Sequence, residues 1–307
     1  MKTVAVYFTD PEPDGAPFVE NGGEYARSYR ELAAKVAALG ARFCIARGPT
    51  TYLGKGRFSN YWEFDGTDFA AKNDILEPNV LLNKGEDLHF DDFDGVINDP
   101  EFDEICFKKE LTQDILADVM PRAILVSSKQ ELERRIGEIP SDFVVAKPPH
   151  GALGRDVIIG PRATVLSHNH AYPLLLQEFI DTSDGIPGVM KGTHDSRLVV
   201  VGGEFSYCEY KIPKKGSLVS NVSLGGSYFP IPKDKIPPEE LALARTVDAK
   251  FARFPSRIYS IDMCRGKNGR WYVIELNAPP GLIEHGGVPE FEQYHDMLAA
   301  LLVREAA

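Results

Sequence analysis

The chain opens on the apolar run Thr3-Val-Ala-Val-Tyr-Phe8, closed by Thr9-Asp10. A run of that length bounded by polar residues predicts a buried strand. It is too short and too quickly acidic for a secretion signal. Residues 24–39 carry apolar side chains at helical spacing and stop at Gly40, which suits a C-cap. Strands are expected at 42–46 and 93–98, the second ending in the turn signal Asn98-Asp-Pro100. A helix over 107–119 stops before Pro121, and 123–126 is a strand. Ser128-Lys-Gln-Glu131 has the spacing of a capping box and opens a short helix. Further strands are expected at 143–147, 157–160 and 174–179, then a strand, Gly202-Gly203 turn and strand over 197–211. Helices over 237–254 and 290–304 complete the chain. The alternation of strand and helix over 1–104 predicts a small α/β unit.

One pattern near the C-terminal end carries chemistry. Ile258-Tyr-Ser-Ile-Asp262-Met-Cys264 and Trp271-Tyr-Val-Ile-Glu275-Leu-Asn277 flank Arg-Gly-Lys-Asn268-Gly269-Arg. Asn-Gly between alternating apolar positions predicts a hairpin with positive φ at both central residues. Pairing Lys267 with Arg270 sets Asp262 opposite Glu275. Asn277 shares their face, because strand side chains repeat every two residues. The other face then carries Tyr259, Ile261 and Met263 against Tyr272, Ile274 and Leu276, and a one-residue slip would bring Asp262 onto Ile274. Facing carboxylates about 5 Å apart repel. A hard cation, Mg²⁺ or Mn²⁺, removes that repulsion and accepts Asp, Glu and Asn oxygens. An acidic face open to water is the alternative.

Composition narrows the field. The 307 residues, 43% hydrophobic and 26% charged, describe an ordinary soluble globular protein with room for two or three compact units. No run of about 18 apolar residues occurs, so no membrane span is expected. A net charge of −11 argues against a general nucleic-acid partner, which needs a basic footprint. Cys44, Cys106, Cys208 and Cys264 are scattered without Cys-x-x-Cys spacing. That fits reduced thiols in a cytoplasmic protein, and Cys264 reads as a packed small residue.

Several weaker signals accompany the hairpin. Lys147 ends a buried strand and is followed by Gly151 and Gly154. Glycines let backbone N–H groups converge on an anion to which a lysine adds charge, although a Gly-rich hairpin is the plainer reading. Lys108-Lys109 opens a helix and is an exposed pair by default. Gln177-Glu178-Phe179-Ile180 ends a hydrophobic strand, where free backbone groups suit the edge of an adenine. Asp195 and Arg197 share a strand face; they either pair with each other or leave Arg197 for an oxyanion. Lys211, Lys214 and Lys215 lead into Asn221-Val-Ser-Leu-Gly-Gly226.

The order of these pieces is more specific than any one of them. A lysine on a helix, a lysine before a glycine loop, a hinge strand, Asp-x-Arg, Asn with Gly-Gly, then Asp and Glu-x-Asn resembles the ATP-grasp superfamily. The resemblance is to the branch holding bacterial glutathione synthetase and the RimK-type ligases that add glutamate to a ribosomal protein. It covers residues 93–285 and is sharpest in Val273-Ile-Glu-Leu-Asn-Ala-Pro-Pro-Gly-Leu282. It implies an α/β (α+β) fold of ATP-grasp type with an N-terminal Rossmann-like domain over 1–104, a lid subdomain over 105–181 and a metal-binding subdomain over 182–307. Lys109, Lys147 and the loop from Gly151 to Gly154 would contact ATP phosphates. Gln177, Glu178, Phe179 and Ile180 would hold adenine, with Asp184 and Asp195 competing for the ribose because the stretch 181–194 is long. Arg197, Lys211 and Asn221 would act at the reacting centre, Lys211 standing where the family often has arginine. Asp262, Glu275 and Asn277 would hold two Mg²⁺.

The implied activity is ATP-dependent carboxylate–amine ligation through an acyl phosphate, on small-molecule or peptide substrates, with a homo-oligomer compatible. A kinase on the same scaffold and a non-catalytic nucleotide- or peptide-binding module are the alternatives.

Overall fold

The computed structural model describes residues 1–10, 16–18, 23–85, 88–150, 156–218, 220, 225–282 and 288–307. The N-terminal part contains β1 (Thr3–Phe8), α1 (Glu24–Ala38), β2 (Arg42–Arg47), β3 (Tyr52–Gly54), β4 (Arg57–Phe58), β5 (Tyr61–Phe64), β6 (Phe69–Lys72), β7 (Val80–Asn83) and β8 (Val96–Ile97). Six of these strands form one sheet in the order β6-β5-β2-β1-β7-β8. Its centre is parallel, and β5 and β6 add an antiparallel edge. β1 is buried along its whole length, as its continuous apolar run requires.

Next come α2 (Pro100–Phe107), α3 (Lys109–Ile115), β9 (Ala123–Val126), α4 (Lys129–Arg135), β10 (Phe143–Lys147), β11 (Ile158–Pro161), α5 (Arg162–Ser167) and β12 (Leu174–Glu178). The single helix expected over 107–119 is two. Asp99 caps the first by accepting from Glu101 N–H at 2.9 Å. The chain then leaves helical geometry at Lys108 (φ −89°, ψ 102°), and Lys109 N–H donates to Pro149 O at 3.1 Å. This break sends Lys108 outward to Glu104 and Lys109 inward. Strands β9 to β12 form an antiparallel sheet in the order β11-β10-β12-β9, with α4 and α5 over its core.

The last part contains β13 (Asp195–Val201), β14 (Glu204–Ile212), β15 (Ser227–Ile231), α6 (Pro238–Lys250), β16 (Ile258–Arg265), β17 (Trp271–Asn277) and α7 (Pro289–Glu305). The sheet order is β15-β14-β13-β16-β17, all antiparallel. Gly202 and Gly203 both have positive φ (59° and 86°), as the tight β13–β14 turn demands. One face of this sheet is largely apolar, with Leu198, Val200, Tyr210, Tyr259, Ile261 and Met263 packed against α2 and α6. The other face changes character along the strands. Val199, Val201, Tyr207 and Ile258 pack with α7, α1 and the N-terminal sheet in one continuous core. Past them, Arg197, Glu209 and Asp262 stand on that face and line a cavity.

The β16–β17 hairpin departs from the expected turn in an instructive way. Gly266 N–H donates to Arg270 O at 2.9 Å, so the loop is Lys267-Asn268-Gly269 and only Gly269 (φ 79°) has positive φ. That moves the register by one residue. A bulge at Ile274 then moves it back, and Asp262 faces Glu275 after all. The bulge coincides with Val273 N–H donating to Val119 O at 3.0 Å, outside the sheet. Its consequence is that Val273 and Trp271, not Ile274 and Tyr272, join Met263 in the core, while Ile274 lines the cavity.

Candidate active site

A cavity of about 460 Å³ lies between the four-stranded and five-stranded sheets. From β10 and β12 it takes Val145, Lys147 and Gln177, alternate residues that share a face. Glu178, Phe179 and Ile180 continue the wall, and Val157 and Ile159 complete an apolar side. The five-stranded sheet contributes Asp195, Arg197, Glu209, Lys211, Asp262, Glu275 and Asn277.

The charged residues form a row across four strands, Glu209, Arg197, Asp262 and Glu275, each opposite the next. Arg197 does not pair with Asp195, its neighbour two residues away. Its Nε and Nη2 donate to the two Asp262 oxygens at 2.7 Å each, a bidentate fork. Lys211 Nζ reaches Asp262 Oδ2 at 3.2 Å, and Asn277 Nδ2 lies 3.4 Å from the same oxygen. Burial raises the Asp262 pKa, but Arg197 and Lys211 outweigh it and hold the carboxyl at about 2. On the next strand Lys109 Nζ meets Glu275 Oε1 at 3.0 Å. Repulsion between the facing carboxylates is therefore offset by lysine and arginine, and the facing pair does not by itself require a cation. Among the described residues no group of three His, Cys, Asp or Glu could hold a metal alone. The donor set still fits Mg²⁺, which commonly takes one or two carboxylates and fills its remaining positions with phosphate oxygens and water.

Lys147 is 7% exposed; burial lowers its pKa to about 8, opposed by Glu275 and Asp195. Asp195 is raised to about 6 by burial, against the pull of Lys211. Gln177 is 2% exposed and its Nε2 has no hydrogen-bond partner among the described residues. An orphaned donor on a cavity wall of this kind suits a ligand acceptor such as a nucleobase nitrogen. The N–H groups of Glu178 and Phe179 are taken, by Arg122 O at 2.8 Å and Ser141 Oγ at 3.1 Å. Any backbone hydrogen bond between these two residues and a ligand is therefore accepted by their carbonyl oxygens. Asp184 is exposed and stands outside the cavity, whereas Asp195 lines it. The long stretch before Asp195 folds on itself through an Ile186–Met190 bridge, and Ile186 packs on the core. Gly151, Gly154 and Asn221 lie outside the described residues.

The model of the RimK-like ATP-grasp domain matches residues 109–292, more than half of the chain. The chain belongs to the RimK-like ATP-grasp family. Among curated proteins, this family member is 28% identical over 170 residues to a probable alpha-L-glutamate ligase of Thioalkalivibrio sulfidiphilus, covering 53% of this chain and 51% of that protein. It is 25% identical over 197 residues to a glutathione synthetase of Rhodopseudomonas palustris, covering 61% of this chain and 57% of that one. The chain thus spans little more than half the length of these relatives. Among solved structures, the ATP-grasp ligase PsnB complexed with a minimal precursor variant, Mg and ADP superposes with a TM-score of 0.58 at 14% identity, over 100% of this chain and 99% of that one. The ATP-grasp fold is thereby established, and ligases of this fold use ATP and magnesium. No helix among the described residues is long and apolar enough to cross a membrane. The four cysteines of this ATP-grasp chain are free and buried.

Two residues at or beside the candidate site were invisible in the sequence. Glu209 alternates with Lys211 on β14, but only the paired register of β13 and β14 sets it beside Arg197. Lys84, at the end of β7, donates to Pro279 O at 2.7 Å and Pro280 O at 2.8 Å, and so holds the loop that follows Asn277. Burial lowers its pKa to about 8, opposed by Asp103. That contact spans 195 residues of sequence, and no local pattern announces it.

Proposed function

We propose that the protein is an ATP-dependent carboxylate–amine ligase that joins an amino acid or peptide carboxylate to an amine through an acyl phosphate. The observation that carries this reading is the cross-sheet row of Arg197, Asp262 and Glu275, with Lys109, Lys147 and Lys211 around it. Adenine would lie on Val145, Val157 and Ile159 with Gln177 Nε2 and the Glu178–Ile180 segment at its edge, and Asp195 near the ribose. Lys109, Lys147 and the glycines Gly151 and Gly154 would receive the phosphates. Asp262, Glu275 and Asn277 would hold two Mg²⁺, Mn²⁺ substituting, and the ions would neutralise charge on the β- and γ-phosphate oxygens.

Arg197 and Lys211 are shared between the Asp262 carboxylate and the cavity. When phosphate occupies the cavity, both cations have a second oxyanion to serve, and neither requires reorganisation at the moment of transfer. The apolar wall limits water around an acyl phosphate that would otherwise hydrolyse. The division into units at 1–104, 105–181 and 182–307 assigns nucleotide to the two later sheets and leaves the N-terminal unit to shape the acceptor side. We read the protein as acting in the cytoplasm.

The test is a screen of amino acids and dipeptides for ATP-dependent phosphate release, with mass spectrometry of the products. An amide product with stoichiometric ADP and phosphate supports the ligase. A stable phosphorylated product identifies a kinase, and binding of ADP without turnover on any substrate identifies a binding module.

A further inference from the structure

Glu209 ends the charged row on the side of Arg197 away from Asp262 and Glu275. It is 3% exposed and lines the cavity, yet its Oε2 has no hydrogen-bond partner among the described residues. The two cations nearest in the sheet are committed elsewhere, since Arg197 and Lys211 both bind Asp262. Burial raises the Glu209 pKa despite the pull of those two cations. A buried carboxylate oxygen with no donor is costly even beside such charges, and an apolar residue at this position would pack more cheaply. The preceding inward residue on β14, Tyr207, makes that alternative concrete: it is buried against Phe291 and Tyr294. The position therefore has the character of a cation site that the protein itself leaves unfilled.

The kind of cation follows from the surroundings. Glu209 offers a single carboxylate, and the oxygen donors suited to a divalent ion stand on the other side of Arg197. A monovalent group with several N–H donors matches one carboxylate better than a hard metal ion does. Tyr228, which lines the same side of the cavity, feels the charges of both Glu24 and Glu209. Phosphates on Lys109 and Lys147, an acyl group beside Arg197 and an ammonium on Glu209 would lie in the sequence that a displacement of phosphate by an amine needs.

We propose that Glu209 receives the ammonium group of the amine substrate, so that the acceptor is a primary amine bound in its cationic form. One ammonium proton then passes to the Glu209 carboxylate, the freed nitrogen lone pair forms the C–N bond at the acyl carbon as the C–O bond to phosphate breaks, and the departing phosphate takes the second proton. This rests on the ligase reading above. Glu209 thereby becomes the specificity-determining residue for the nucleophile, with no role in activating the carboxylate.

The experiment separates the two half-reactions. Wild type, Glu209→Gln and Glu209→Asp are supplied with ATP, Mg²⁺ and a panel of amino acids and dipeptides as carboxylates. Hydroxylamine, uncharged at neutral pH, traps activated carboxylate as hydroxamate; glycine, L-glutamate and methylamine serve as cationic acceptors. The proposal expects Glu209→Gln to keep hydroxamate formation within about twofold while the KM for the amine rises at least about tenfold, the scale of a lost charged hydrogen bond. Glu209→Asp should fall between, since it keeps the charge. Calorimetry with Mg·ADP confirms that each variant is folded. Should Glu209→Gln fail that check, Glu209→Asp must show the raised amine KM with intact hydroxamate formation, or the proposal is overturned. Loss of both half-reactions together, or of neither, overturns the role of Glu209 and leaves the ligase standing. A wild type that forms no hydroxamate with any carboxylate overturns the ligase reading and this proposal with it.

Discussion

Arg197 holds Asp262 through two N–H···O contacts of 2.7 Å, one to each carboxylate oxygen. Both groups project from adjacent strands of a single sheet, so their separation is set by strand spacing and not by a mobile loop. Replacing Arg197 with lysine keeps one charge and loses the planar fork. We expect Arg197→Lys to reduce kcat by roughly 10²-fold, the range for loss of one preorganised donor, while the KM for ATP changes little. Steady-state kinetics with saturating carboxylate check this.

Lys147 gives a pH dependence whose direction follows from its environment. Its pKa in the folded protein is about 8, below the ordinary lysine value, so it loses its proton as pH rises through 8. Phosphate binding needs the protonated form. The kcat/KM for ATP, which reports the free enzyme, should therefore decline above pH 8. Lys147→Arg, permanently charged, should flatten that limb even if its absolute rate is lower. A wild-type profile unchanged to pH 9.5 would count against Lys147 as a phosphate ligand, about 1.5 units being ample for a single titration to show.

The hairpin shows how far sequence patterning reaches. Asp262 opposite Glu275 was predicted correctly, but through two departures that cancel: a three-residue loop at Lys267-Asn268-Gly269 and a bulge at Ile274. Asn-Gly marks a turn without choosing between the two- and three-residue forms, and a bulge depends on what lies beside the strand, here Val119. The apolar assignments suffered accordingly at Tyr272 and Ile274. Buried strands such as β1 and the later half of β13 were evident because side chains packed in a core must be apolar. The break at Lys108 was not, since it answers to Pro149 forty residues away and to Glu275 far beyond. Glu209 and Lys84 were missed for the same reason: their meaning resides in partners brought close only by the fold.

Lys84 ties the N-terminal unit to the loop after the candidate metal strand through the Pro279 and Pro280 carbonyls. Lys84→Met removes both donated bonds while keeping much of the side-chain volume. We expect a loss of about 1–3 kcal/mol in stability, measured by urea unfolding, and a raised KM for the carboxylate or amine with that for ATP little changed. An unaltered KM for every substrate would reduce Lys84 to a structural strut.

Asn98 makes a second tie. It is 1% exposed; its Nδ2 donates to Ile258 O at 2.9 Å and to Asp103 Oδ1 at 2.8 Å, and its Oδ1 accepts from Ile258 N–H at 2.6 Å. Asn98→Ala strands the buried backbone groups of Ile258 and should cost about 2–4 kcal/mol. Asn98→Asp keeps the acceptor but places a second carboxylate beside Asp103, so it should rescue little. Thermal unfolding of both variants decides.

Asp262, Glu275 and Asn277 are expected to form, with nucleotide phosphates, a magnesium site. Calorimetric titration of ADP into wild type and Glu275→Gln, each with and without Mg²⁺, tests this directly. Wild type should bind ADP at least about tenfold more tightly with magnesium than without, and Glu275→Gln should lose most of that difference, as expected when a charged ligand oxygen is replaced by a neutral one. Equal affinity with and without magnesium in wild type, or an undiminished magnesium effect in Glu275→Gln, would contradict it.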